Sequence, residues 1–213
     1  MTVLGVDTPQ GQANVHLHLA VEPRAALVLG HGAGGGVTSP DLVAVNDVAR
    51  SEGVSVALVE QPYRVAGRRS PTTAPRLDAA WMAVVDHLRG GELGGLPLVV
   101  GGRSLGARVA CRTAQALGAV AVLCLAFPLQ PPRRSGASAT QSRLAELDEV
   151  TVPTLVVQGA RYPFGMPPGT SRRTVVEVPG DHSLRTDLEA VAAGVRAWLP
   201  GVVGQAARTA APG

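Results

Sequence analysis

Lysine is missing from this chain: all 19 basic residues are arginine. The pairs Arg68–Arg69, Arg133–Arg134 and Arg172–Arg173 are far apart, and aromatic residues make up only 3% of the sequence. A nucleic-acid surface clusters its cations and interleaves them with stacking rings. A net charge of +3 spread in this way argues against that class. Arginine in the company of abundant alanine, glycine and valine reflects coding bias instead. Cysteine is nearly absent too. Cys111 and Cys124 lack the CxxC spacing of a zinc or redox motif, so two buried free thiols in a reducing compartment are expected. Long apolar runs are missing, since Ala119–Phe127 falls far short of the roughly 20 residues of a membrane helix. The start "MTVLGVDTPQ" has no basic stretch followed by an apolar core, so no signal peptide is expected. A soluble, cytoplasmic protein with no membrane or nucleic-acid partner is the expectation.

What is present is a compact globular composition, 46% apolar and 16% charged, over 213 residues. One domain over residues 1–200 is expected, with 201–213 as a disordered, frayed tail. The first twenty residues alternate as a hairpin, Val3–Val6 and Val15–Val21 flanking "DTPQGQ". After them, short continuously apolar strands alternate with amphipathic helices. Strands are predicted at Ala25–Leu29, Val54–Val59, Leu98–Val100, Val120–Phe127, Thr154–Val157 and Thr174–Val178. Between them Ser39 and Pro40 start one helix, a second runs through Leu77, Trp81 and Leu88, and a third follows Ser104. A Pro/Arg/Ser-rich loop covers Pro128–Thr140, a short helix Ser142–Leu147. Thr186 and Glu189 form a capping box for the last helix, whose apolar face is Leu188, Val191, Val195 and Trp198. Such alternation means a mostly parallel sheet with helices on both faces.

The strongest chemical signal is Gly102-Arg103-Ser104-Leu105-Gly106 within "VVGGRSLGARVA". A buried strand enters it and an amphipathic helix leaves, so the turn must be tight. Glycines on either side allow close backbone approach, and the serine hydroxyl stands above the sheet edge with a helix N-terminus beneath. That is the context of a nucleophile elbow, against the plainer reading of a serine N-cap in a glycine turn. "LVLGHGAGGG" offers backbone N–H groups to a developing oxyanion, with the amides of Ala33 and Leu105 as the candidate donors. The same loop satisfies G-x-G-x-x-G, and Glu60 ends the next strand where a ribose-binding acid would sit. That dinucleotide reading leaves Ser104 unexplained. His182, in "VPGDHSLR", lies between the last strand and the last helix, the place of a hydrolase histidine; a solvent-exposed loop residue is its plainer reading. His87 is expected on a helix surface. His16 and His18 share a strand face without a third ligand, so no metal site is expected.

At these residues the chain resembles the small, cap-less α/β-hydrolases of the dienelactone-hydrolase-like branch. More narrowly, it is similar to bacterial proteins sharing the α/β-hydrolase-like domain of a subunit of the NSL histone-acetyltransferase complex and of a testis-expressed protein. The matching stretches are "GHGAGGG", "QPYRVAGRR", "VVGGRSLGARVA", "FPLQPPRR", "TLVVQGARYPFG" and "GDHSL". The resemblance implies a single-domain α/β-hydrolase fold without a cap, with Ser104 and His182 as catalytic residues. It also exposes a departure: the group usually has aspartate, the triad acid, where Tyr162 stands, and often histidine where Gln130 stands.

Asp181 and Glu60 are the carboxylates available to replace that acid, and neither is placed by a motif. Tyr162 could offer its phenolic oxygen to His182, but a neutral, longer side chain is expected to orient the imidazole poorly and cannot balance its charge. The expected activity is hydrolysis of a small carboxylic ester or thioester, without cofactor and weakened by the missing acid. Arg64, Arg161 and the 128–140 loop are candidates to shape a shallow, lidless site. The alternative is a non-catalytic α/β-hydrolase-like domain that binds a partner or ligand.

Overall fold

The computed structural model describes residues 1–130 and 142–210. Strands β1 (Thr2–Thr8) and β2 (Gly11–His18) form the expected hairpin, longer and with a tighter turn than the alternation suggested. Then come β3 (Ala25–Gly30), α1 (Pro40–Ser51), β4 (Val54–Glu60), the short α2 (Pro62–Val65) and α3 (Ala74–Gly90). β5 (Leu98–Arg103), α4 (Leu105–Thr113), β6 (Ala121–Leu125), α5 (Leu144–Asp148), β7 (Thr154–Gly159), β8 (Arg173–Val178) and α6 (Leu188–Ala210) complete the order.

All eight strands lie in one sheet in the order β1-β2-β4-β3-β5-β6-β7-β8. From β4 to β8 across the sheet the strands are parallel, and only β2 runs against the others. The central strands β3, β4, β5, β6 and β7 are buried almost along their whole length because both faces are covered. Along β3, Ala26 and Val28 join the layer under α3 and α4, while Ala25, Leu27 and Leu29 join the layer under α1 and α6. The period-2 geometry of a strand forces this division. Trp81 on α3 and Leu42 on α1 are among the fully buried side chains of the two layers. No cap domain interrupts the described residues. Strands β3, β5, β6, β7 and β8 therefore deliver their C-terminal loops to a single edge, where such folds bind ligands.

Three expectations need correction. The last helix is capped by Asp187, whose carboxylate accepts the Ala190 N–H at 2.8 Å. The Thr186–Glu189 box is not formed, because the chain turns helical one residue later than the motif requires. Residues 201–210 are not a frayed tail: α6 continues to Ala210 through Pro200, which lacks the N–H for one helical bond. Burial of Leu199, Val202 and Val203 on the core-facing side offsets that loss. The short helix after the proline-rich loop is Leu144–Asp148, and most of that loop, with residues 211–213, lies outside the described residues.

Candidate active site

The sheet edge brings Ser104, the glycine-rich loop and His182 around one cavity of about 360 Å³. Ala33, Gly34, Ser39, Arg103, Ser104 and His182 contribute to its wall. Between the end of β5 and the start of α4 there is one residue, Ser104, at φ 51° and ψ −103°. Such a backbone costs on the order of 1–3 kcal/mol and persists only where its surroundings dictate it. Here they do. The Ser104 N–H donates to the Leu125 carbonyl at 2.8 Å. A Cβ on Gly106 or on Gly102 would overlap the Gly30 carbonyl, so β3, β5 and α4 meet backbone to backbone.

The loop after β3 is pinned from both ends. His31 is buried; its Nδ1–H donates to the Gly32 carbonyl at 2.8 Å, and its Nε2 accepts the Gln61 N–H at 3.1 Å. Burial pushes its pKa below the ordinary 6.5, in keeping with an Nε2 that accepts a hydrogen bond. Tyr63 donates its hydroxyl to the Ala33 carbonyl at 2.9 Å. Among the described residues, neither the Ala33 N–H nor the Leu105 N–H has a protein acceptor. The dinucleotide reading of this loop finds no support. The helix begins only at Pro40, Glu60 is engaged by Asn14 at 3.4 Å, and the sheet carries an antiparallel hairpin beside β4.

On the histidine side, Gly159 lets the "PGDHS" segment cross directly over the end of β7. A Cβ at Gly159 would come within 2.5 Å and 2.7 Å of the Asp181 and Gly180 carbonyls. His182 is partly buried, its ring edge-on to Phe164 at 5.4 Å and tilted against Tyr162 at 5.2 Å. Tyr162 donates its hydroxyl proton to the Ala126 carbonyl at 2.6 Å, and its oxygen lies 2.9 Å from His182 Nδ1. A phenol has one proton. With that proton committed to Ala126, the contact requires Nδ1–H to donate to the tyrosine oxygen. The neutral tautomer with a bare Nε2 follows. Despite its greater length, Tyr162 is seated so that its phenolic oxygen reaches Nδ1 within hydrogen-bond distance. Burial pushes the Tyr162 pKa well above the ordinary 10, so it carries no charge for an imidazolium.

No carboxylate hydrogen-bonds His182 among the described residues, and residues 131–141 and 211–213 contain no Asp or Glu. Asp181 turns away, its Oδ1 accepting from the Ser183 N–H and hydroxyl at 2.8 Å each. Glu60 lies two strands from the serine strand. Burial lowers the His182 pKa from 6.5, the Arg103 charge lowers it further, and Asp181 opposes both. No hydrogen bond joins Ser104 to His182 here, a separation that such pairs commonly show before substrate is bound.

Arg64 and Arg161 do not line the cavity; Arg103 and Arg185 do. Sequence reasoning passed over four residues that hold the site. Arg103 pairs through Nε with Asp41 at 2.9 Å and donates from Nη2 to the His182 carbonyl at 2.9 Å. Asp41 is fully buried. Tyr63 steadies the glycine loop. Gln158 ties the Tyr162 segment down, donating to the Phe127 and Gly165 carbonyls at 2.9 and 2.8 Å. Arg103 stood inside the Ser104 motif and Tyr63 inside "QPYR", but nothing local announced their partners.

A parallel sheet with a serine at a one-residue strand–helix turn and a histidine after the last strand defines an α/β-hydrolase. Residues 23–189 match the family model described as an alpha/beta hydrolase domain, and the chain belongs to that family. Solved structures agree on the fold. A lidless serine hydrolase from Xanthomonas campestris is 20% identical, with a TM-score of 0.72 over 92% of this chain and 94% of that one. Est1E from Butyrivibrio proteoclasticus is 16% identical, with a TM-score of 0.77 over 96% and 100%. Dienelactone hydrolase from Anabaena variabilis is 19% identical, with a TM-score of 0.72 over 93% and 95%. No curated protein sequence matches the chain. No described helix is long and apolar enough to cross a membrane.

Proposed function

We propose that the protein is a serine hydrolase of small carboxylic esters or thioesters that works slowly because its histidine lacks a carboxylate. The observation that carries this reading is the hydrogen-bond chain from His182 Nδ1 through Tyr162 to the Ala126 carbonyl. It leaves Nε2 as the basic nitrogen on a ring that shares the cavity of Ser104. In this reading Ser104 attacks the acyl carbon and His182 accepts its proton, then returns it to the leaving group. The amides of Ala33 and Leu105 hold the oxyanion, consistent with their having no other acceptor. The strained Ser104 backbone lifts the hydroxyl off the sheet edge, as a nucleophile elbow does. No cofactor or metal enters the scheme. The partner is a small ester, and the cytoplasm remains its proposed location.

Tyr162 fulfils one of the two duties of a triad acid, orientation, and omits the other, charge. Removing the acid from a serine protease costs about 10⁴-fold in turnover, while an enhancement of about 10³ over water survives from binding and the oxyanion hole. Because orientation is retained, the expected loss is smaller than that full factor.

The absent carboxylate, together with the neighbouring Arg103 charge, favours a second reading, a hydrolase-like domain that binds a ligand without turning it over. A fluorophosphonate probe separates the two. The enzyme reading expects an adduct on Ser104 that disappears in Ser104→Ala. An unlabelled, folded wild type would leave only the binding reading.

A further inference from the structure

The guanidinium of Arg103 sits between three parts of the site. Its Nε meets the fully buried carboxylate of Asp41, at the start of α1. Its Nη2 donates to the backbone carbonyl of His182, on the loop after β8. Its Nη1 lies so close to Gly32 that a Cβ there would come within 2.8 Å. One side chain, adjacent in sequence to Ser104, therefore touches the glycine loop, the first helix of the core and the histidine loop. A planar guanidinium can hold such partners in fixed directions; a lysine ammonium cannot span them in the same way.

We propose that Arg103, aimed by Asp41, is a positioning residue that fastens the His182 loop beside Ser104, and that the Arg103–Asp41 pair sets the electrostatic field on the imidazole. This rests on the serine hydrolase reading for its catalytic meaning. The groups facing His182 support it. From the loop after β7 come Tyr162, neutral, and Phe164, which has no charge to offer. From its own loop come Asp181, engaged by Ser183, and Arg185. From the β5–α4 turn comes Arg103, and behind it from α1 comes Asp41. Arg143 acts on Tyr162 rather than on the histidine. With no carboxylate bonded to the ring, the Arg103 charge, itself paired with Asp41, outweighs the opposing Asp181 charge as the control on the imidazole. Its sign is opposite to that of a triad acid: it favours the neutral base and disfavours the imidazolium.

The test is an NMR titration of the His182 ring, assigned by comparison with His182→Ala, in the wild type, Arg103→Gln, Asp41→Asn and Arg103→Lys. Removing the positive charge in Arg103→Gln should raise the His182 pKa by about 1 unit. Removing the cancelling negative charge in Asp41→Asn should lower it. Arg103→Lys keeps the charge and loses the fork, so the pKa stays near wild type. Its ester turnover should fall about 10-fold with KM little changed, as expected of a displaced catalytic group. Opposite shifts in the first two variants, with the turnover loss in the third, support the proposal. A His182 pKa in Arg103→Gln equal to wild type overturns it, even if Asp41→Asn does not fold. The titration reads the imidazole directly. A failure of the fluorophosphonate test would remove the hydrolase reading without altering the titration, so the two failures are distinguishable.

Discussion

Around Ser104 the contacts that fix the geometry run from backbone to backbone, whereas the His182 ring and its carbonyl are each held by a side chain. Gly30, Gly102 and Gly106 press together, and their missing Cβ atoms are what make the one-residue turn possible. His182 instead depends on Tyr162, which depends on the Ala126 carbonyl, and on Arg103, which depends on Asp41. The first kind of construction tolerates almost no change but needs no partner chemistry. The second tolerates substitution in steps, and each step should be visible in a different measurement.

The largest effect belongs to the backbone half. Gly106→Val places branched carbons on the Gly30 carbonyl and should destabilise the protein by about 3 kcal/mol or more, or prevent folding. Thermal or urea unfolding measures it. A loss below 1 kcal/mol would mean that the close approach of β3 and α4 is not what shapes the turn.

Tyr162→Phe is next. It deletes the acceptor for His182 Nδ1–H and leaves the Ala126 carbonyl unpartnered, for about 1–3 kcal/mol of stability. Ester turnover should drop about 10-fold or more as the ring loses its tautomer and direction. Tyr162→Asp, attractive from the sequence as a restoration of the triad, should not rescue activity. The shorter side chain falls short of Nδ1 from this backbone and puts a carboxylate into an apolar pocket. A gain in turnover for the aspartate variant would show that the loop moves to meet the histidine.

A smaller effect is in the pH profile. On the proposed hydrolase reading His182 must be neutral to accept the Ser104 proton, and burial with the Arg103 charge holds its pKa below 6.5. Activity is therefore present above that lowered value and declines as pH falls through it, so the acidic limb should lie below pH 6.5. A limb at or above 6.5 would point to an unseen negative charge on the ring. The smallest effect is expected from Asp181→Asn. Its carboxylate is exposed and turned to Ser183, so turnover should change by less than about 2-fold. A large loss would make Asp181 the missing acid after all.

Legibility followed the same division. The alternation of apolar strands and amphipathic helices, and the glycines around Ser104, carry their meaning locally, since period and Cβ sterics act over a few residues. The α/β-hydrolase fold was readable for that reason, and Ser104 and His182 could be singled out as candidates, while Tyr162 stood out only through the resemblance to a family that usually has aspartate there. Element ends were less so: the Thr186–Glu189 box gave way to Asp187, and Val202 and Val203 carried the last helix past Pro200. Core burial, which depends on residues distant in sequence, outweighed the local signals there.

The sequence by itself, through its resemblance to the dienelactone-hydrolase-like group, determined that a tyrosine stands where that group usually has aspartate, because a changed residue type is visible without coordinates. Only the tertiary structure decided what that change means. It joined the Tyr162 hydroxyl, the Ala126 carbonyl and the His182 ring from three separate loops, and Arg103 to Asp41 across 62 positions of chain. Hydrogen bonds and ion pairs of that kind are set by angles and distances between strand ends, and no pattern along the chain encodes those angles.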